Sequence, residues 1–417
     1  MSYGSIVANQ ENSNTLGYRD HAIVTSLLEI LTIVHGRQAV SRSELSECTG
    51  LSRSAISQRV SQLIDSGLLV EGSAGGFTGG RRSRLLRLNS HYGQLIGVDL
   101  GATGVQIGLF DLPGRLIASI THSIDISYGP DRILGQIAED IEGLLHSHDC
   151  TRLIGVGIGV PGPVDRDAGM VESPPIMPGW HQFPIVDWLQ ERLGCYVLID
   201  NDVNVMALGE QVVRKTDADN FIFVKVGTGI GAGIILGDRL HRGNNGCAGD
   251  IGHIAVTDAP ILCTCGRTGC VEAVASGAAI ARIAEESARA NGQTLLARAL
   301  AQEGSITAVE VGEAARRGDP EATRIIQQSA RYLGQAIATV VNCLDPSLVV
   351  LGGGVLHIGD VYLAAVREYV YKRSLPLATR NLRIQRSLAG DSAGIIGASS
   401  LVLEHLFSPD AIAEITA

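Results

Sequence analysis

Residues 95–119 read "LIGVDLGATGVQIGLFDLPGRLIAS", and the fold turns on how this stretch is taken. Short apolar runs bounded by Gly, Pro and Asp read as strands. The expected order is two strands joined by "DLGATG", a turn at "DLPG", and a third strand. Asp99, Gly101 and Thr103 occupy the first turn. Small residues there let backbone N–H and hydroxyl groups approach a phosphate, and the carboxylate suits the water shell of a magnesium ion. A plain hairpin turn is the other reading, and this turn alone does not separate the two.

Repetition separates them. Residues 221–240, "FIFVKVGTGIGAGIILGDRL", again run strand, glycine turn, strand. Gly227, Thr228, Gly229 and Gly231 would bring N–H groups near a phosphate there. Residues 347–356, "SLVVLGGGVL", add a strand ending in three glycines, Gly352 and Gly353 among them. Between these lie a buried strand entering a Gly/Pro loop, "RLIGVGIGVPGPVD", and a strand that ends at Asn201–Asp202 before a helix, "YVLIDNDVNVMALGE". An Asp at the end of a buried strand is a usual place for chemistry in α/β folds. Asp202 is placed to take a proton from a sugar hydroxyl as it attacks a phosphoryl group; a simple helix cap is the alternative. Two hairpin starts with glycine turns predict two similar lobes around a cleft, an actin-like, sugar-kinase-like (RNase H-like) α/β body.

The chain has 417 residues, 51 of them glycine, enough for two or three cores rich in tight turns. No apolar run approaches a membrane span, and the first twenty residues lack a basic start followed by an apolar stretch. A cytoplasmic protein without a membrane partner is expected. Eight cysteines in a chain this long are no disulfide scaffold.

The net charge of −10 argues against a protein that coats nucleic acid, yet it is uneven. Residues 1–90 hold nine Arg against seven Asp and Glu, and residues 51–90 six Arg against two acids. A small basic module on an acidic body suits a DNA-binding regulator. Ile23, Leu27, Ile30, Leu31 and Val34 share a helical face, ended by His35–Gly36. Ser41 or Ser43 caps a short helix with Leu45 inward, Gly50 turns, and Ser52 caps a second helix that Gly67 closes. Ala55, Ile56, Val60, Leu63 and Ile64 face its inside. This is a helix-turn-helix. Arg42, Ser52, Arg53, Ser54, Ser57, Gln58 and Arg59 are the candidate DNA contacts. "LLVEG" and "RLLRLN" read as the strands of a wing, with Arg81 and Arg82 near its tip. A plain helical bundle, or a scaffold that binds no DNA, leaves these arginines without a role.

Residues 253–274, "HIAVTDAPILCTCGRTGCVEAV", carry H-x9-C-x-C-x4-C spacing. His253, Cys263, Cys265 and Cys270 are candidate ligands of one metal ion. Four N/S ligands fill a tetrahedral zinc and leave no open position, so the expected role is structural. A DNA-reading finger would pair two cysteines with two histidines around a short helix. Here the cluster lies in acidic sequence far from the basic module.

Taken in order, "GVDLGATG", "GIGVPGPVD", "PPIMPGW", "IDNDVN", "VGTGIGAGII", "GDIGHI", "CTCGRTGCVE", "LDPSLVVLGGG" and "AGIIGAS" resemble the ROK family of bacterial repressors, open reading frames and sugar kinases. The N-terminal module resembles the family's repressors, such as those for xylose and N-acetylglucosamine, more than its free-standing kinases. The resemblance implies a hexose-type site between the lobes, with Asn201, Asp202, Asp250, His253 and Glu272 on the ligand. It also implies a structural zinc on His253, Cys263, Cys265 and Cys270. Three departures stand out: Ile176 where the family often has a sugar-contacting Asn, Asp250 for a Glu, and "DLGATG" for "DIGGTK", which puts Gly104 in place of a basic residue. The expected domains are a winged helix-turn-helix over 1–90, a first lobe over 91–202 with 392–417, and a second lobe with the zinc over 203–391.

The function expected is a repressor of carbohydrate-metabolism genes. It binds double-stranded operator DNA as a dimer or tetramer under control of a sugar or sugar phosphate. The alternative is an ATP- and Mg2+-dependent sugar kinase carrying a regulatory module. Asp202 would then be its base, and Asp99, Gly101, Thr103, Gly227, Thr228, Gly229, Gly352 and Gly353 its nucleotide contacts.

Overall fold

The computed structural model describes residues 18–72, 84–174, 176–215 and 218–416. They form two compact units. One holds the described residues up to Gln94 together with Asp111–Arg115 and the segment from Leu403 onward, and the other holds Leu95–Phe110 and Leu116–Val402.

In the first unit, α1 (Tyr18–Arg37) is followed by β1 (Val40–Ser41), α2 (Arg42–Thr49), α3 (Arg53–Asp65), β2 (Leu69–Gly72) and β3 (Leu85–Leu88). Leu27, Ile30, Leu31 and Val34 are fully buried, as their spacing predicts. Val24 is buried too, while Ile23 is only half-buried. The helix passes through Gly36 and stops one residue later than expected, where Gln38 turns to φ +61°. Ser41 is the cap of α2: its hydroxyl accepts the Glu44 N–H, and the Glu44 carboxylate accepts the Ser41 N–H at 2.7 Å, a reciprocal capping box. Gly50, at φ +68°, ends α2 and makes the turn; Ser52 accepts the Ala55 N–H and starts α3. The three strands are antiparallel in the order β1-β3-β2. Arg81 and Arg82 lie outside the described residues.

The second unit carries two five-stranded sheets. Its first sheet comprises β4 (Gln94–Leu100), β5 (Gly104–Asp111), β6 (Leu116–Ser123), β7 (Leu153–Val160) and, after the short hairpin β8 (Val164–Asp165) and β9 (Met170–Val171), β10 (Tyr196–Asn201). The order is β10-β7-β4-β5-β6. Helices α4 (Pro130–Ser147) and α5 (Ile185–Leu193) belong to its core, in which Trp180 is fully buried and donates its indole N–H to the Ile126 carbonyl. Helix α6 (Asp202–Arg214) leaves β10 directly.

The second sheet has the order β13-β12-β11-β14-β15: β11 (Phe221–Val226), β12 (Ile230–Leu236), β13 (Arg239–Leu240), β14 (Leu348–Gly352) and β15 (Arg383–Arg386). β11 and β12 are the predicted hairpin, and β14 lies parallel to β11. Helices α7 (Val271–Ala275), α8 (Gly277–Ala290), α9 (Leu295–Glu303), α10 (Ala308–Arg316), α11 (Pro320–Leu344), α12 (Asp360–Arg373) and α13 (Pro376–Thr379) come from the same half of the chain. Each sheet thus contains an antiparallel hairpin with a glycine turn, the repeat expected of an actin-like body.

Two helices sit between the halves, α6 and α14 (Ala393–Leu406). Their crossing is so close that only hydrogen fits in place of side chains. A Cβ on Gly397 would lie 1.6 Å from the Val205 carbonyl oxygen, and one on Gly209 would lie 1.9 Å from that of Ala393. α14 meets the first sheet the same way, through Gly97 under Ile395 and Gly157 under Ala398.

Residues 392–417 were expected to complete the first lobe. The structure groups the end of this segment, Leu403 onward, with the N-terminal unit instead. The reason is apolar burial: α15 (Pro409–Thr416) packs on α1, Ile412 is fully buried, and the Phe407 ring meets His35 edge-on at 6.2 Å.

Gly397→Ala will lower the unfolding free energy by about 3 kcal/mol, the upper range of overpacking. Gly292→Ala, in open space, will change it by less than about 1 kcal/mol. Urea denaturation of the two variants checks the contrast.

Candidate functional site

Both glycine turns, the start of α6 and the loop 246–250 line one cavity of about 1070 Å³ in the second unit. Asp99 lines it from the end of β4, Gly101 and Thr103 from the β4–β5 turn, and Gly227, Thr228 and Gly229 from the β11–β12 turn. Asn201, Asp202, Asp250, His253 and Glu272 line it as well. The nine residues that sequence spacing put far apart are therefore brought to one hollow, together with Asn201 and Asp202. Gly352 and Gly353 are not among its walls. A Cβ on Gly352 would strike the Phe223 ring at 2.5 Å, and one on Gly353 the Val226 carbonyl at 2.6 Å, so both are packing glycines. Gly354 lines the cavity instead.

Asn201, not Asp202, is the cap of α6. Its side-chain oxygen accepts the Val203 N–H at 2.9 Å, and its amide donates to the Gly162 carbonyl at 2.9 Å. Both ends of the side chain are thus held by the backbone. Asp202 is the first helical residue; one carboxylate oxygen accepts the Val203 N–H, and the other takes a 2.5 Å bond from the Lys225 ammonium. The cap alternative therefore falls on Asn201, and Asp202 is left with an ion pair.

Lys225 was not picked out from the sequence. It is one of three lysines in the chain and the single charge in the apolar strand "FIFVKV", a signal that was available. Burial pulls its pKa down, but the charges of Asp202 and Asp99 outweigh that and hold it above the ordinary lysine value. Burial pushes the Asp99 carboxyl up to about 6, against the pull of Lys225. Its Oδ1 is buried with no hydrogen-bond partner.

Asp200, two residues before Asp202, is buried and faces away into a network of its own. It accepts the Asn204 amide at 2.8 Å and Arg242 Nε at 2.7 Å, with Arg166 Nε at 3.6 Å. Strand alternation would put residues 200 and 202 on one face, but the chain turns into α6 at Asp202, and the two carboxylates meet different cations.

His253, Cys263, Cys265 and Cys270 come together with all four candidate ligand atoms within 4.8 Å of one another. Cys265 Sγ and Cys270 Sγ are 3.8 Å apart, and Cys263 Sγ is 3.6 Å from His253 Nδ1. A tetrahedral ion with metal–sulfur bonds near 2.3 Å and metal–nitrogen near 2.0 Å has S···S and S···N edges of about 3.8 and 3.6 Å. The residues fit such an ion. The Arg267 backbone N–H lowers the Cys265 thiol to about 6, toward the thiolate that a metal needs. Glu272, on the first turn of α7, accepts the Ile230 N–H at 3.0 Å and approaches Cys263 Sγ at 4.0 Å. It thereby joins the cluster to the β11–β12 turn.

On α3, Arg53, Ser54, Ser57 and Gln58 are exposed. Ser52 is exposed but serves as the cap. Arg59 differs from expectation: it is half-buried, and its guanidinium donates to Ser26 on α1 at 3.0 Å and to Gln62 at 3.1 Å. Arg42 pairs with Glu71 on β2 at 2.7 Å. Arg84, at the start of the segment leading into β3, is three-quarters exposed and pairs with the same Glu71; the sequence reading passed over it.

A model of the ROK family matches residues 95–405, and the chain belongs to that family. It is 30% identical over 390 residues to a xylose repressor of Caldicellulosiruptor bescii, covering 92% of this chain and 96% of the repressor. A match of that length does not fit inside 95–405, so it takes in N-terminal residues as well. It is 35% identical over 314 residues to a glucokinase of Halalkalibacterium halodurans, covering 74% of this chain and 95% of the kinase. The crystal structure of a ROK family transcriptional regulator, a homologue of the E. coli MLC protein, superimposes with a TM-score of 0.81 and 26% identity over 95% of this chain and 99% of the other. Among the described residues no helix is long and apolar enough to cross a membrane.

Arg242→Met will cost about 3 kcal/mol, the low end for stranding a buried charge, because Arg166 remains nearby. Adding Asp200→Asn will recover part of that loss in a thermal or urea unfolding series.

Proposed function

We propose that the protein is a sugar-responsive transcriptional repressor of carbohydrate-metabolism genes. The observation that carries this reading is the exposed face of α3, with Arg53, Ser54, Ser57 and Gln58, on a chain whose similarity to a xylose repressor runs along almost its whole length. A capped helix with an open polar face, preceded by a short helix and a glycine turn, is built to enter a major groove. Arg59 takes no part in base reading here; it fastens α3 to α1 and so sets the angle of the contacting face. Arg81 and Arg82, which lie between β2 and β3 in the sequence, are further candidates for phosphate contacts. A homodimer presents two such faces to a two-fold symmetric operator.

The effector is a small sugar bound in the cavity, against Asp250, His253 and Glu272. Zinc is the ion that three thiolates and one imidazole suit. Bound through Nδ1, His253 keeps Nε2 for a ligand hydroxyl or a neighbouring group. The ion holds His253 and, through Cys270 and α7, Glu272 in fixed positions, and supplies no step of its own. For the sugar to change DNA affinity it must prefer one arrangement of the protein. α14 offers a covalent route: it begins where Gly394 abuts the Asp99 carboxylate and continues unbroken to Leu406.

A gel-shift titration on the DNA upstream of the protein's own gene tests the reading. The wild type binds at low salt, and a panel of pentoses and hexoses changes its affinity. Failure to bind any of that DNA at low salt removes the proposal. Arg53→Ala lowers the slope of log affinity against log salt by about 1, one phosphate or base contact's worth of counterions.

Metal analysis of the wild type gives one zinc per chain. Cys265→Ser loses it together with the sugar response, while operator binding persists. A full sugar response in zinc-free protein would overturn the assigned role of the cluster.

A further inference from the structure

The cavity contains the parts of a phosphoryl-transfer site, but one of them is occupied by the chain itself. In such a reaction a sugar hydroxyl oxygen bonds to the γ-phosphorus of a nucleotide. The bond from that phosphorus to the bridging oxygen breaks, the nucleoside diphosphate leaves with the electron pair, and the hydroxyl proton passes to a carboxylate. The carboxylate must be free to take the proton, and divalent cations must neutralise the phosphates. Asp202 is not free: the Lys225 ammonium is 2.5 Å from its outward oxygen, and the inward oxygen is bound by the Val203 N–H. Asp99, the one acid in the phosphate-type turn, also feels the Lys225 charge and has a buried oxygen with no partner.

Resting on the reading of this cavity as a sugar site, we propose that Lys225 is a resident cation that takes the place of a divalent ion between Asp202 and Asp99 and makes the site bind an unphosphorylated sugar without phosphorylating it. Three consequences follow from charge alone. A lone pair committed to an ammonium at this distance is a poor proton acceptor, because proton transfer would leave the lysine's charge facing a neutral acid. A divalent ion entering the same space meets a fixed positive charge. A phosphorylated sugar gains nothing either, since Lys225, the one lysine or arginine among the described residues of the cavity wall, already neutralises Asp202 and feels Asp99, and Asp250 and Glu272 line the same walls. The ligand chemistry that remains is a neutral polyol, whose hydroxyl groups can donate to Asp202, Asp250 and Glu272. This selects among the effectors named above, favouring a free pentose or hexose over its phosphate.

The test removes the charge while keeping the bulk, in Lys225→Met, with Lys225→Ala as a second neutral variant and Lys225→Arg as the variant that keeps the cation. Mn2+ alone is titrated by electron paramagnetic resonance into each folded full-length protein. At least tenfold tighter Mn2+ binding in a neutral variant than in the wild type, with Lys225→Arg behaving as wild type, is the expected result. With MgATP and D-glucose or D-xylose, the wild type is expected to release no more ADP than without sugar. Sugar-dependent release in Lys225→Met that Asp202→Asn abolishes supports the same assignment.

Mn2+ affinity within twofold of wild type in both neutral variants overturns the proposal, as does sugar-dependent turnover by the wild type. Titration of the wild type with D-xylose, D-glucose and their phosphates separates the ligand classes: tighter binding of a phosphate overturns the charge argument. The gel-shift result is read independently. A protein that binds no operator but gains Mn2+ on losing Lys225 refutes the regulator reading and leaves this one standing.

Discussion

The crossing of α6 and α14 is the constraint from which the site's geometry follows. Val205, one turn into α6, has its carbonyl where a Cβ of Gly397 would be, and Ala393 closes in the same way on Gly209. Backbones this near cannot slide, because each small shift drives oxygen into carbon. α6 therefore has one position, and Asp202 is its first residue. α14 has one position too, and Gly394 in its first turn lies against the Asp99 carboxylate with no room for a side chain. Asp99, near the end of β4, and Asp202, at the start of α6, are thus located by helix packing. Glu210 reinforces the arrangement from the far end of α6. Fully buried, it accepts the Ser387 hydroxyl and the Leu388 and Ala389 N–H groups, and pairs with Arg214 at 2.5 Å.

Charge then decides what the located residues can do. Asp200 and Asp202 are two residues apart, yet they have separate partners, Arg242 for one and Lys225 for the other. The Arg242 pair is structural: Asp200 is buried, and its other oxygen accepts the Asn201 N–H and the Asn204 amide. The Lys225 pair lies on the cavity wall, where the same attraction settles chemistry instead of stability. A lysine suits this second position better than an arginine for compactness, since an ammonium is a point charge on a flexible stem. The difference between a site that reacts and a site that only binds can thus reside in one strand residue.

Much of this was legible in the chain. The two glycine turns announced the repeated hairpins, and Ser41, Gly50 and Ser52 announced the helix-turn-helix, because turn and cap chemistry is local. The His/Cys cluster was legible for a similar reason: its spacing alone confines one imidazole and three thiols to a short segment. What escaped was long-range. Nothing near Lys225 indicates that it meets Asp202, and nothing near Arg59 indicates that Ser26 will hold it. Gly352 and Gly353 look like phosphate glycines, yet Phe223 and Val226 require them for packing. The expected end of the first lobe erred for the same cause, since the burial of Ile412 against α1 depends on residues almost four hundred positions apart.

The His253–Cys270 cluster acts across a shorter distance but on the same principle. Its third cysteine, Cys270, is immediately followed by α7, whose first turn carries Glu272. Glu272 leaves no space for a side chain at Gly229, where a Cβ would lie 2.6 Å from its carboxylate, and it holds the Ile230 N–H. An ion that fixes the cysteines therefore fixes the glutamate, and the glutamate fixes the turn between β11 and β12. Lys225 stands at the end of β11, two residues before that turn begins. The His/Cys cluster and the lysine, far apart in the sequence, are thus linked through Glu272, the β11–β12 turn and the end of β11, so an ion bound by the cluster would also order the strand end that carries Lys225.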